Sequence, residues 1–437
     1  MSARHASVRA AGALRGSIVV PGDKSISHRA LILASQARGT TLISGLSRGG
    51  DVRNTARALR RLGVALAPWD TEPLGVRGAG LGGWREPEGV LDFGNSGTGI
   101  RLMAGLLAAH PFFSVLSGDR YLRRRPMRRI ADPLRLMGAR IAGRAGGTLA
   151  PLAIEGTRLT GIAYRSPVSS AQVKSALLLA GLLANGETSV TEPERSRDHS
   201  ERMLRYLGVD VRVEGTTVGV DRVRAWDARD LAVPGDPSSA AFLVAAAVIS
   251  RDADVTVRNV CVNPTRTGFF EILRAMGATV RILRQREVCG EPVADIRAGA
   301  GALRGIDVPP ELVPQTIDEF PILAATALFA RGTTRITGAA ELRVKESDRI
   351  RTMAVELARL GGRVRELPDG LEIEGGHPLR GAACASHGDH RVAMSLAIAG
   401  GAIPGETRIA DTACVATSFP EFWDLMNGLG AKIRVSP

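Results

Sequence analysis

The amino-acid sequence predicts an α/β protein built from six copies of one unit, arranged as two domains of three units each. Three observations lead to this prediction. The 437 residues are too many for one ordinary hydrophobic core. A helix-like segment that ends in Leu-Gly or Met-Gly, followed by a β-forming segment, occurs six times. A second helix, rich in Ala, Leu and Gly and preceded by polar residues, also occurs six times.

The first repeated element is a charged helix that stops at a glycine. Neighbouring glycines of this set are between 69 and 84 residues apart, so the spacing is nearly constant. Glycine just after a helix accepts the left-handed conformation of the C′ position, and the residues that follow are suited to start a strand. Because this helix carries charge, we expect it to face outward. The six dipeptides are Leu62-Gly63, Met137-Gly138, Leu207-Gly208, Met276-Gly277, Leu360-Gly361 and Leu429-Gly430.

The second repeated element is a helix that is apolar on most sides, which predicts burial. Each copy begins in a polar segment, where Ser, Asn or Asp could act simply as an N-cap. The segments are Lys24-Ser25-Ile26-Ser27, Asn95-Ser96-Gly97-Thr98, Ser169-Ser170-Ala171-Gln172, Pro237-Ser238-Ser239, Ile317-Asp318-Glu319 and Asp389-His390-Arg391.

Two similar Pro-Gly-Asp segments predict where the chain passes between the domains. The segment 20–25 is echoed by the segment 233–238, and Pro-Gly pairs often mark a change of chain direction. We therefore expect crossovers near residues 20–24 and 233–238. One domain would comprise residues 23–235, and the other would comprise residues 1–22 and 236–437.

Composition and charge narrow the classes of partner. A net charge of +13 favours anionic partners, which include nucleic acid, membrane surfaces and small phosphorylated or carboxylated substrates, although a solvated Arg-rich surface would give the same charge. No long apolar run predicts a membrane span, and residues 1–14 lack the apolar centre of a secretory signal. Four widely spaced cysteines predict neither a disulfide framework nor a zinc site, so we expect a cytoplasmic protein with no metal. Gly-x-Gly segments such as residues 97–99 lack the context of a dinucleotide fingerprint, so we expect no organic cofactor.

Cations accompany several of the polar helix starts. Lys24, Arg29 and Arg391 lie within or next to these segments, and Arg101 lies nearby. A helix N-terminus carries unpaired N–H groups and about half a positive charge, so it attracts anions. Several such starts converging on one cleft would form an electropositive pocket. The alternatives are capping alone for the helix starts, a solvated or nucleic-acid-binding patch for residues 123–129, and i,i+4 surface pairs for residues 341–349.

Five motifs together resemble the 3-phosphoshikimate 1-carboxyvinyltransferase (EPSP synthase) family, from about residue 15 to the C-terminus. The resemblance implies a two-domain, inside-out α/β barrel in which each domain has three βαβαββ repeats around a central cleft. It also implies transfer of the enolpyruvyl group of phosphoenolpyruvate to the 5-hydroxyl of 3-phosphoshikimate, with release of phosphate, in the shikimate pathway of aromatic amino acid biosynthesis. The motifs occupy residues 21–29, 94–98, 124–127, 342–349 and 389–394.

The resemblance also assigns residues to the two substrates. Carboxylates for proton transfer and cations for phosphates and carboxylates are the groups this chemistry needs. Glu346 would transfer a proton at C3, Asp318 would act on the 5-hydroxyl, and Lys24 would assist the leaving phosphate. The residues implied for 3-phosphoshikimate are Lys24, Ser25, Arg29, Ser170, Ala171, Gln172, Arg197, Asp318 and Lys345. Those implied for phosphoenolpyruvate are Lys24, Gly97, Arg125, Gln172, Arg349 and Arg391.

Two features depart from common members of the family. Thr417 stands where some members have a lysine, so one cation of the phosphoenolpyruvate site would be missing or supplied elsewhere. Gly97 is typical of enzymes inhibited by glyphosate, whereas segments near Ser170 and Arg197 resemble a class that often tolerates it. Glyphosate is therefore a candidate inhibitor whose effect the sequence leaves open.

Two rival functions remain. The related transferase that acts on UDP-N-acetylglucosamine usually carries a reactive cysteine in a stretch that corresponds to residues 117–127, which has none here. A nucleic-acid-binding protein would suit the positive charge, but the sequence lacks the known binding motifs and is poor in the aromatic residues that stack on bases. We therefore expect small-molecule substrates and no nucleic acid or membrane partner. The family resemblance implies a monomer.

Overall fold

The computed structural model describes residues 4–436. The chain divides into two compact units. The central unit comprises Gly22–Val233 and Val288–Glu291. The terminal unit comprises Met1–Pro21, Pro234–Glu287 and Pro292–Pro437. Residues 1–3 and 437, which the sequence places in the domain that holds both chain ends, lie outside the described residues.

Helices of two kinds alternate along the chain. Those that begin at the polar segments are almost entirely buried, and those that end at Leu-Gly or Met-Gly bury one face, as the sequence predicts. In chain order the helices are α1 (Lys24–Gln36), α2 (Gly50–Arg61), α3 (Gly97–Ala108), α4 (Arg128–Leu136), α5 (Arg144–Gly147), α6 (Ala171–Gly181), α7 (His199–Tyr206), α8 (Pro237–Ile249), α9 (Gly268–Ala275), α10 (Val313–Thr316), α11 (Phe320–Ala327), α12 (Arg349–Arg359), α13 (His390–Gly401) and α14 (Phe422–Gly428).

The strands are short, and they form six separate sheets within residues 4–436. In chain order they are β1 (His5–Arg9), β2 (Arg15–Val19), β3 (Arg38–Ser44), β4 (Ala65–Leu66), β5 (Leu74–Ala79), β6 (Leu91–Asp92), β7 (Phe113–Ser117), β8 (Arg140–Gly143), β9 (Leu149–Glu155), β10 (Ala163–Arg165), β11 (Thr188–Thr191), β12 (Val211–Glu214), β13 (Thr217–Val220), β14 (Leu231–Ala232), β15 (Asp254–Cys261), β16 (Thr279–Val288), β17 (Glu291–Gly299), β18 (Gly332–Ile336), β19 (Arg363–Leu367), β20 (Gly370–Gly375), β21 (Ala383–Ala385), β22 (Glu406–Ala410) and β23 (Lys432–Ser436).

The sheets of the central unit share one topology. Their strand orders are β14-β3-β5-β4, β6-β7-β9-β8 and β10-β11-β13-β12. In each, the first pair is parallel and the other pairs are antiparallel. The first sheet is completed by β14, the last strand of Gly22–Val233, which lies parallel to β3.

The terminal unit contains the other three sheets. Their orders are β16-β17-β15-β2, β18-β20-β19 and β21-β22-β1-β23. Strand β1, from the start of the described chain, inserts antiparallel between β22 and β23. Six mixed or antiparallel sheets with paired helices confirm the predicted α/β class.

The glycines that follow the outer helices adopt one recurring turn. All six have φ between +83° and +105°, a range that favours glycine. In all six, the N–H of the next residue donates back to the carbonyl of a residue in the last helical turn, as from Val64 to Leu59 at 3.0 Å and from Ala431 to Met426 at 3.1 Å. This is the Schellman arrangement, so each glycine ends a helix and turns the chain toward a strand.

Helices α3 and α6 approach each other closely inside the central unit. A Cβ atom on Gly105 of α3 would lie 2.2 Å from the carbonyl oxygen of Ala176 in α6, a distance that no side chain could occupy. The polar starts of both helices, at Gly97 and Ala171, carry predicted site residues. Their contact therefore fixes the separation of two anion-attracting helix N-termini.

Candidate active site

The start of α1 places Lys24 at the first turn of a buried helix. Asp23 is the N-cap, and its carboxylate accepts a hydrogen bond from the N–H of Ile26 at 2.8 Å. The Lys24 ammonium forms an ion pair with Asp51 of α2 and stays partly exposed, as does Ser25. Lys24 is thus a cation held at a helix N-terminus, which is suited to an anionic ligand.

Arg29, which the resemblance assigns to 3-phosphoshikimate, is buried, and its guanidinium binds groups of the protein. Its guanidinium donates to Ser200 Oγ at 2.7 Å, to Ser175 Oγ at 2.8 Å and to the carbonyl of Ser25 at 3.0 Å. Burial lowers the pKa of Arg29 to about 10, so it remains charged at neutral pH. Arg29 therefore ties α1 to α6 and α7 and adds positive potential behind Ser25.

His28 joins three helices near the same place. Its Nδ1 lies 2.8 Å from Thr55 Oγ1 of α2, and its Nε2 lies 3.2 Å from Ser96 Oγ. Ser96 is the N-cap of α3 and accepts from the N–H of Gly99 at 3.0 Å. Burial, reinforced by Lys24 and Arg29, lowers the pKa of His28 well below its usual value. His28 is consequently a neutral positioning group.

Arg101 connects three predicted parts of the phosphoenolpyruvate site. Its Nη1 donates to Gln172 Oε1 at 2.6 Å and to the carbonyl of Gly97 at 3.4 Å, and its Nη2 donates to the carbonyl of Pro126 at 3.1 Å. Gln172 in turn donates from Nε2 to Thr98 Oγ1 at 3.0 Å. This network orients Gln172 between the starts of α3 and α6.

Arg125 is held beside the start of α3. It follows a short 3-10 helix, and its Nη2 donates to Asn95 Oδ1 at 2.7 Å. A Cβ atom on Gly97 would lie 2.9 Å from Arg101 Nη1 and 3.0 Å from Arg125 Nη1. The absent side chain of Gly97 therefore leaves room for both guanidinium groups at a helix N-terminus.

The start of α6 and the segment before α7 hold the remaining predicted residues of the central unit. Ser170 is the N-cap of α6, and Ala171 and Gln172 form its first turn. The N–H of Ser170 donates to Glu192 Oε1 at 2.7 Å. Arg197 precedes the start of α7 at His199 and is partly exposed.

Arg349 of the terminal unit is surrounded by carboxylates. Its Nε donates to Asp389 Oδ2 at 2.8 Å and its Nη2 donates to Glu346 Oε2 at 2.7 Å, while Nη1 lies 3.9 Å from Asp318 Oδ1. Burial opposes its charge, but Asp389 and Glu346 outweigh burial and keep the pKa of Arg349 above its usual value. Arg349 therefore brings the two predicted proton-transfer carboxylates, Asp318 and Glu346, around one cation.

Arg391 lies at the start of α13 and contacts the same region. Its Nη1 donates to the carbonyl of Asp318 at 2.9 Å and lies 3.9 Å from Glu319 Oε1. Asp389, the N-cap of α13, accepts from the N–H of Arg391 at 2.9 Å. Asp389 thus links both predicted phosphoenolpyruvate-binding arginines of the terminal unit.

Lys345 and Thr417 each bond to a residue close to them in sequence. Lys345 Nζ pairs with Glu341 Oε1 at 3.0 Å on the short 3-10 segment before α12. Thr417 Oγ1 donates to the carbonyl of Cys414 at 2.7 Å. A hydroxyl used for a local turn does not replace the lysine of other family members.

The structure groups the predicted residues by unit. The central unit contains Lys24, Ser25, Arg29, Gly97, Arg125, Ser170, Ala171, Gln172 and Arg197. The terminal unit contains Asp318, Lys345, Glu346, Arg349 and Arg391. Sequence reasoning gave no binding role to Arg101 or Asp389 and did not single out Glu192. The motif around Asp389 was visible, but its bond to Arg349, 40 residues earlier, was not.

Within residues 4–436, no cluster of three or more His, Cys, Asp or Glu side chains is arranged to hold a metal ion. In the same range, no helix has the length and apolar character needed to cross a membrane.

Comparison with known proteins identifies relatives along nearly the whole chain. The family model of EPSP synthase (3-phosphoshikimate 1-carboxyvinyltransferase) matches residues 8–426. A protein of that enzyme name from Geotalea uraniireducens is 54% identical over 419 residues, covering 96% of this chain and 97% of the relative. One from Gloeobacter violaceus is 55% identical over 419 residues, with the same two coverages of 96% and 97%.

Solved structures give the same result. An EPSP synthase from Acinetobacter baumannii superposes with a TM-score of 0.90 at 45% identity, and the match covers 100% of both chains. A second structure of the enzyme from that organism gives a TM-score of 0.89 at 44% identity. The predicted two-domain α/β fold and the predicted family are thereby confirmed: the chain belongs to the EPSP synthase family.

Proposed function

We propose that this protein transfers the enolpyruvyl group of phosphoenolpyruvate to the 5-hydroxyl of 3-phosphoshikimate, giving 5-enolpyruvylshikimate 3-phosphate and phosphate. Membership of the family and relatives that carry this enzyme name support the reaction. The structural observation that carries the proposal is the set of cations at or beside the starts of buried helices in each unit. Lys24 and Arg391 lie at the starts of α1 and α13, and Arg125 lies beside the start of α3. Such sites suit substrates that bear phosphates and carboxylates.

In this proposal the central unit binds most of 3-phosphoshikimate. Ser170, Ala171, Gln172 and Arg197 hold its phosphate and ring, while Lys24 and Ser25 approach from α1. Arg29 contributes charge from its buried position, since its donors already bind Ser25, Ser175 and Ser200. Asp318 and Lys345 bind the hydroxyls of this substrate.

Phosphoenolpyruvate is bound mainly by cations in this proposal. Its ligands are Arg125 and Gln172, beside the open space at Gly97, together with Arg349 and Arg391. Lys24 contacts both substrates. Charge-assisted bonds from arginine to phosphate or carboxylate are roughly twice as strong as neutral ones, so a few such residues can bind the substrate firmly.

The chemistry requires two proton movements. The 5-hydroxyl adds to C2 of phosphoenolpyruvate while C3 gains a proton, and the intermediate then loses phosphate and a proton from C3. Asp318 takes the hydroxyl proton, Glu346 gives and later removes the C3 proton, and Lys24 stabilises the departing phosphate. The bond of Glu346 to Arg349 at 2.7 Å supports this role because it orients the carboxylate.

We also propose that the protein acts as a monomer in the cytoplasm and needs no metal or organic cofactor. Nucleic acids and membranes are not partners in this proposal, and glyphosate is a candidate inhibitor to be tested for competition with phosphoenolpyruvate. Sedimentation of the purified protein tests the monomer. Titration of glyphosate at several phosphoenolpyruvate concentrations tests the competition.

The deciding experiment measures phosphate release by the purified full-length protein. Phosphoenolpyruvate is supplied with 3-phosphoshikimate in one reaction and with UDP-N-acetylglucosamine in another, and the products are identified by mass spectrometry. We expect release only with 3-phosphoshikimate. Release only with UDP-N-acetylglucosamine would overturn the assignment in favour of the related transferase.

A further inference from the structure

A buried cluster of three charged side chains lies in the central unit outside the predicted substrate ligands. Lys174 Nζ is 2.9 Å from Glu192 Oε2 and 2.8 Å from Glu201 Oε1. The side chains are only 1%, 2% and 3% exposed, in the order Lys174, Glu192, Glu201. Lys174 belongs to α6, Glu201 belongs to α7, and Glu192 follows β11.

Stability alone is a weak explanation for this cluster. Removing an ammonium or carboxylate from water costs several kcal/mol per ion, and well-packed apolar residues in place of buried ions are often equally stable. The contacts that the cluster makes with its surroundings are therefore more informative than its internal ion pairs.

Glu192 joins two separate backbone segments. Its Oε1 accepts from the N–H of Ser170 at 2.7 Å, and its Oε2 accepts from Ser196 Oγ at 2.7 Å and from the N–H of Ser196 at 3.4 Å. Ser170 caps α6, and Ser196 immediately precedes Arg197. One buried carboxylate thus sets the distance between two segments assigned to 3-phosphoshikimate.

A second link runs between the same segments at the surface. Ser169 Oγ donates to the carbonyl of Glu194 at 2.8 Å, and the N–H of Glu194 donates to Ser169 Oγ at 2.9 Å. Because these bonds are exposed, water competes with them. The bonds of Glu192 are part-buried and its side chain is buried, so they are better placed to hold the spacing.

Lys174 holds Glu192 in its bridging position. Its ammonium pairs with the Oε2 atom that also accepts from Ser196, and it lies 3.4 Å from the carbonyl of Ser196. With two carboxylates and one ammonium, the cluster has a formal charge of −1. Lys174 therefore also limits the negative charge behind a segment that must receive a phosphate.

We propose that Glu192, held by Lys174, is a positioning residue for the phosphate of 3-phosphoshikimate: it keeps the N-terminus of α6 and the Arg197 segment at the separation that this phosphate requires. The inference rests on the proposed function, because that function assigns Ser170 and Arg197 to the phosphate. Neither Glu192 nor Lys174 contacts the substrate in this account.

The main test replaces the carboxylate by the amide of the same shape, Glu192→Gln. An amide has one acceptor oxygen and one donor nitrogen. Whichever way it is oriented, its NH₂ group faces either the Ser170 N–H or the Ser196 hydroxyl and Lys174, so one segment loses its acceptor. We expect the Kd for 3-phosphoshikimate, measured by calorimetry without phosphoenolpyruvate, to rise by at least about tenfold, the lower limit for loss of one hydrogen bond to a charged group.

A loss of binding that is specific to the phosphorylated ligand distinguishes a positioning role of Glu192 from general destabilisation of the protein. Shikimate lacks the phosphate, so its binding should change little, as should the KM for phosphoenolpyruvate. The milder variant Ser196→Ala removes one hydroxyl donor and should shift the 3-phosphoshikimate Kd in the same direction by a smaller factor. Glu187→Gln, which breaks only an exposed pair with Arg212, is the matched control and should bind like the wild type.

The outcomes distinguish this inference from the proposed function. If the wild-type protein does not bind 3-phosphoshikimate, the proposed function fails and this inference with it. If the wild type binds it and both Glu192→Gln and Ser196→Ala bind it equally well, the positioning role is wrong while the function stands. An equal loss of shikimate and 3-phosphoshikimate binding also overturns the positioning role.

Discussion

Several predicted substrate-binding cations already have protein carboxylates as partners. Lys24 pairs with Asp51, and Arg349 binds Asp389 and Glu346. A buried or partly buried cation without such a partner would be strongly disfavoured. The protein carboxylates keep the cations charged and oriented. A substrate phosphate or carboxylate then binds the same cations.

Glu346 offers the sharpest test of the chemistry. Replacing Glu346 by Gln keeps its shape but removes its ability to carry a proton, so we expect kcat to fall by about 10²–10⁴-fold, the usual contribution of general acid–base catalysis. Steady-state phosphate release measures the change. The exposed variant Glu374→Gln should retain wild-type turnover, and full turnover by Glu346→Gln would exclude Glu346 from proton transfer.

Substitution of Gly97 tests whether two guanidinium groups need the space that its missing side chain leaves. The added methyl of Gly97→Ala would lie 2.9 Å from Arg101 Nη1 and 3.0 Å from Arg125 Nη1, so the ends of these side chains must move. We expect the KM for phosphoenolpyruvate to rise by at least about tenfold, because a hydrogen bond to a charged group contributes about 1.5–3 kcal/mol.

The control for Gly97 is an exposed glycine with open surroundings. A Cβ atom on Gly12 would meet no atom within 4 Å, so Gly12→Ala should leave both KM values unchanged. An unchanged KM for phosphoenolpyruvate in Gly97→Ala would mean that Arg125 does not bind this substrate.

The sequence predicts the residues within the motifs, but it does not predict which other residues hydrogen-bond to them. The residues within compact motifs, such as Lys24, Arg125 and Arg391, were named because their neighbours in sequence identify them. Arg101 was seen only as a nearby cation, and its bond to Gln172 joins residues 71 positions apart. Such contacts depend on how helices pack, which a local pattern does not encode.

At the scale of elements, His28 couples α1, α2 and the start of α3. Its folded-state pKa lies well below 6.5, so the unfolded chain binds the proton first as the pH falls. The stability contributed by neutral His28 is therefore present above about pH 6.5 and is lost below it. We expect the free energy of unfolding to fall by up to about 1.4 kcal/mol per pH unit below 6.5 from this residue.

Denaturant unfolding between pH 5 and pH 8 checks this dependence. His28→Gln, which can still donate and accept hydrogen bonds, should flatten the profile below about pH 6.5 relative to the wild type. His5→Gln, at an exposed position, should retain the wild-type profile. Identical profiles for the wild type and His28→Gln would contradict the role of neutral His28.

The contact of α3 with α6 gives a second prediction at this scale. The methyl of Gly105→Ala would overlap the carbonyl oxygen of Ala176, 2.2 Å away, and the helices must separate. We expect a loss of about 1–3 kcal/mol in the free energy of unfolding, as for other overpacked sites.

Gly428→Ala, at the end of α14, is the matched control for Gly105→Ala. No atom lies within 4 Å of its Cβ position, so the substitution should be neutral or stabilising by up to about 1 kcal/mol. Equal stabilities of wild type and Gly105→Ala would show that the two helices are free to move apart.

The elements were largely predictable because repetition reinforced weak local signals. Six glycines at Leu-Gly or Met-Gly all end helices with positive φ, as the pattern predicts. The start of α11 follows the pattern of polar helix starts, because the helix begins at Phe320, directly after the polar segment Ile317-Asp318-Glu319. The pattern did not predict the separate helical turn α10, which ends at Thr316.

At the scale of the whole molecule, the net charge of +13 should act on anionic substrates. Raising the chloride concentration from 50 mM to 500 mM screens this attraction, because the Debye length falls from roughly 14 Å to 4 Å. We expect kcat/KM for both substrates to fall about two- to tenfold while kcat changes less. Sucrose, which is uncharged, is the control, and an unchanged kcat/KM in chloride would contradict electrostatic attraction.

The position of β14 has a consequence for how the order of the elements along the chain can be permuted. The last strand of residues 22–233 lies beside β3, and the N–H of Val233 donates to the carbonyl of Ser44 at 2.9 Å. A Cβ atom on Gly22 would lie 2.8 Å from Val233 Cγ1, so the entry and exit of this segment are adjacent. Residues 22–233 therefore resemble an inserted segment whose ends lie side by side. A short peptide could join these two ends, and new chain termini could be placed in the turn at Gly215.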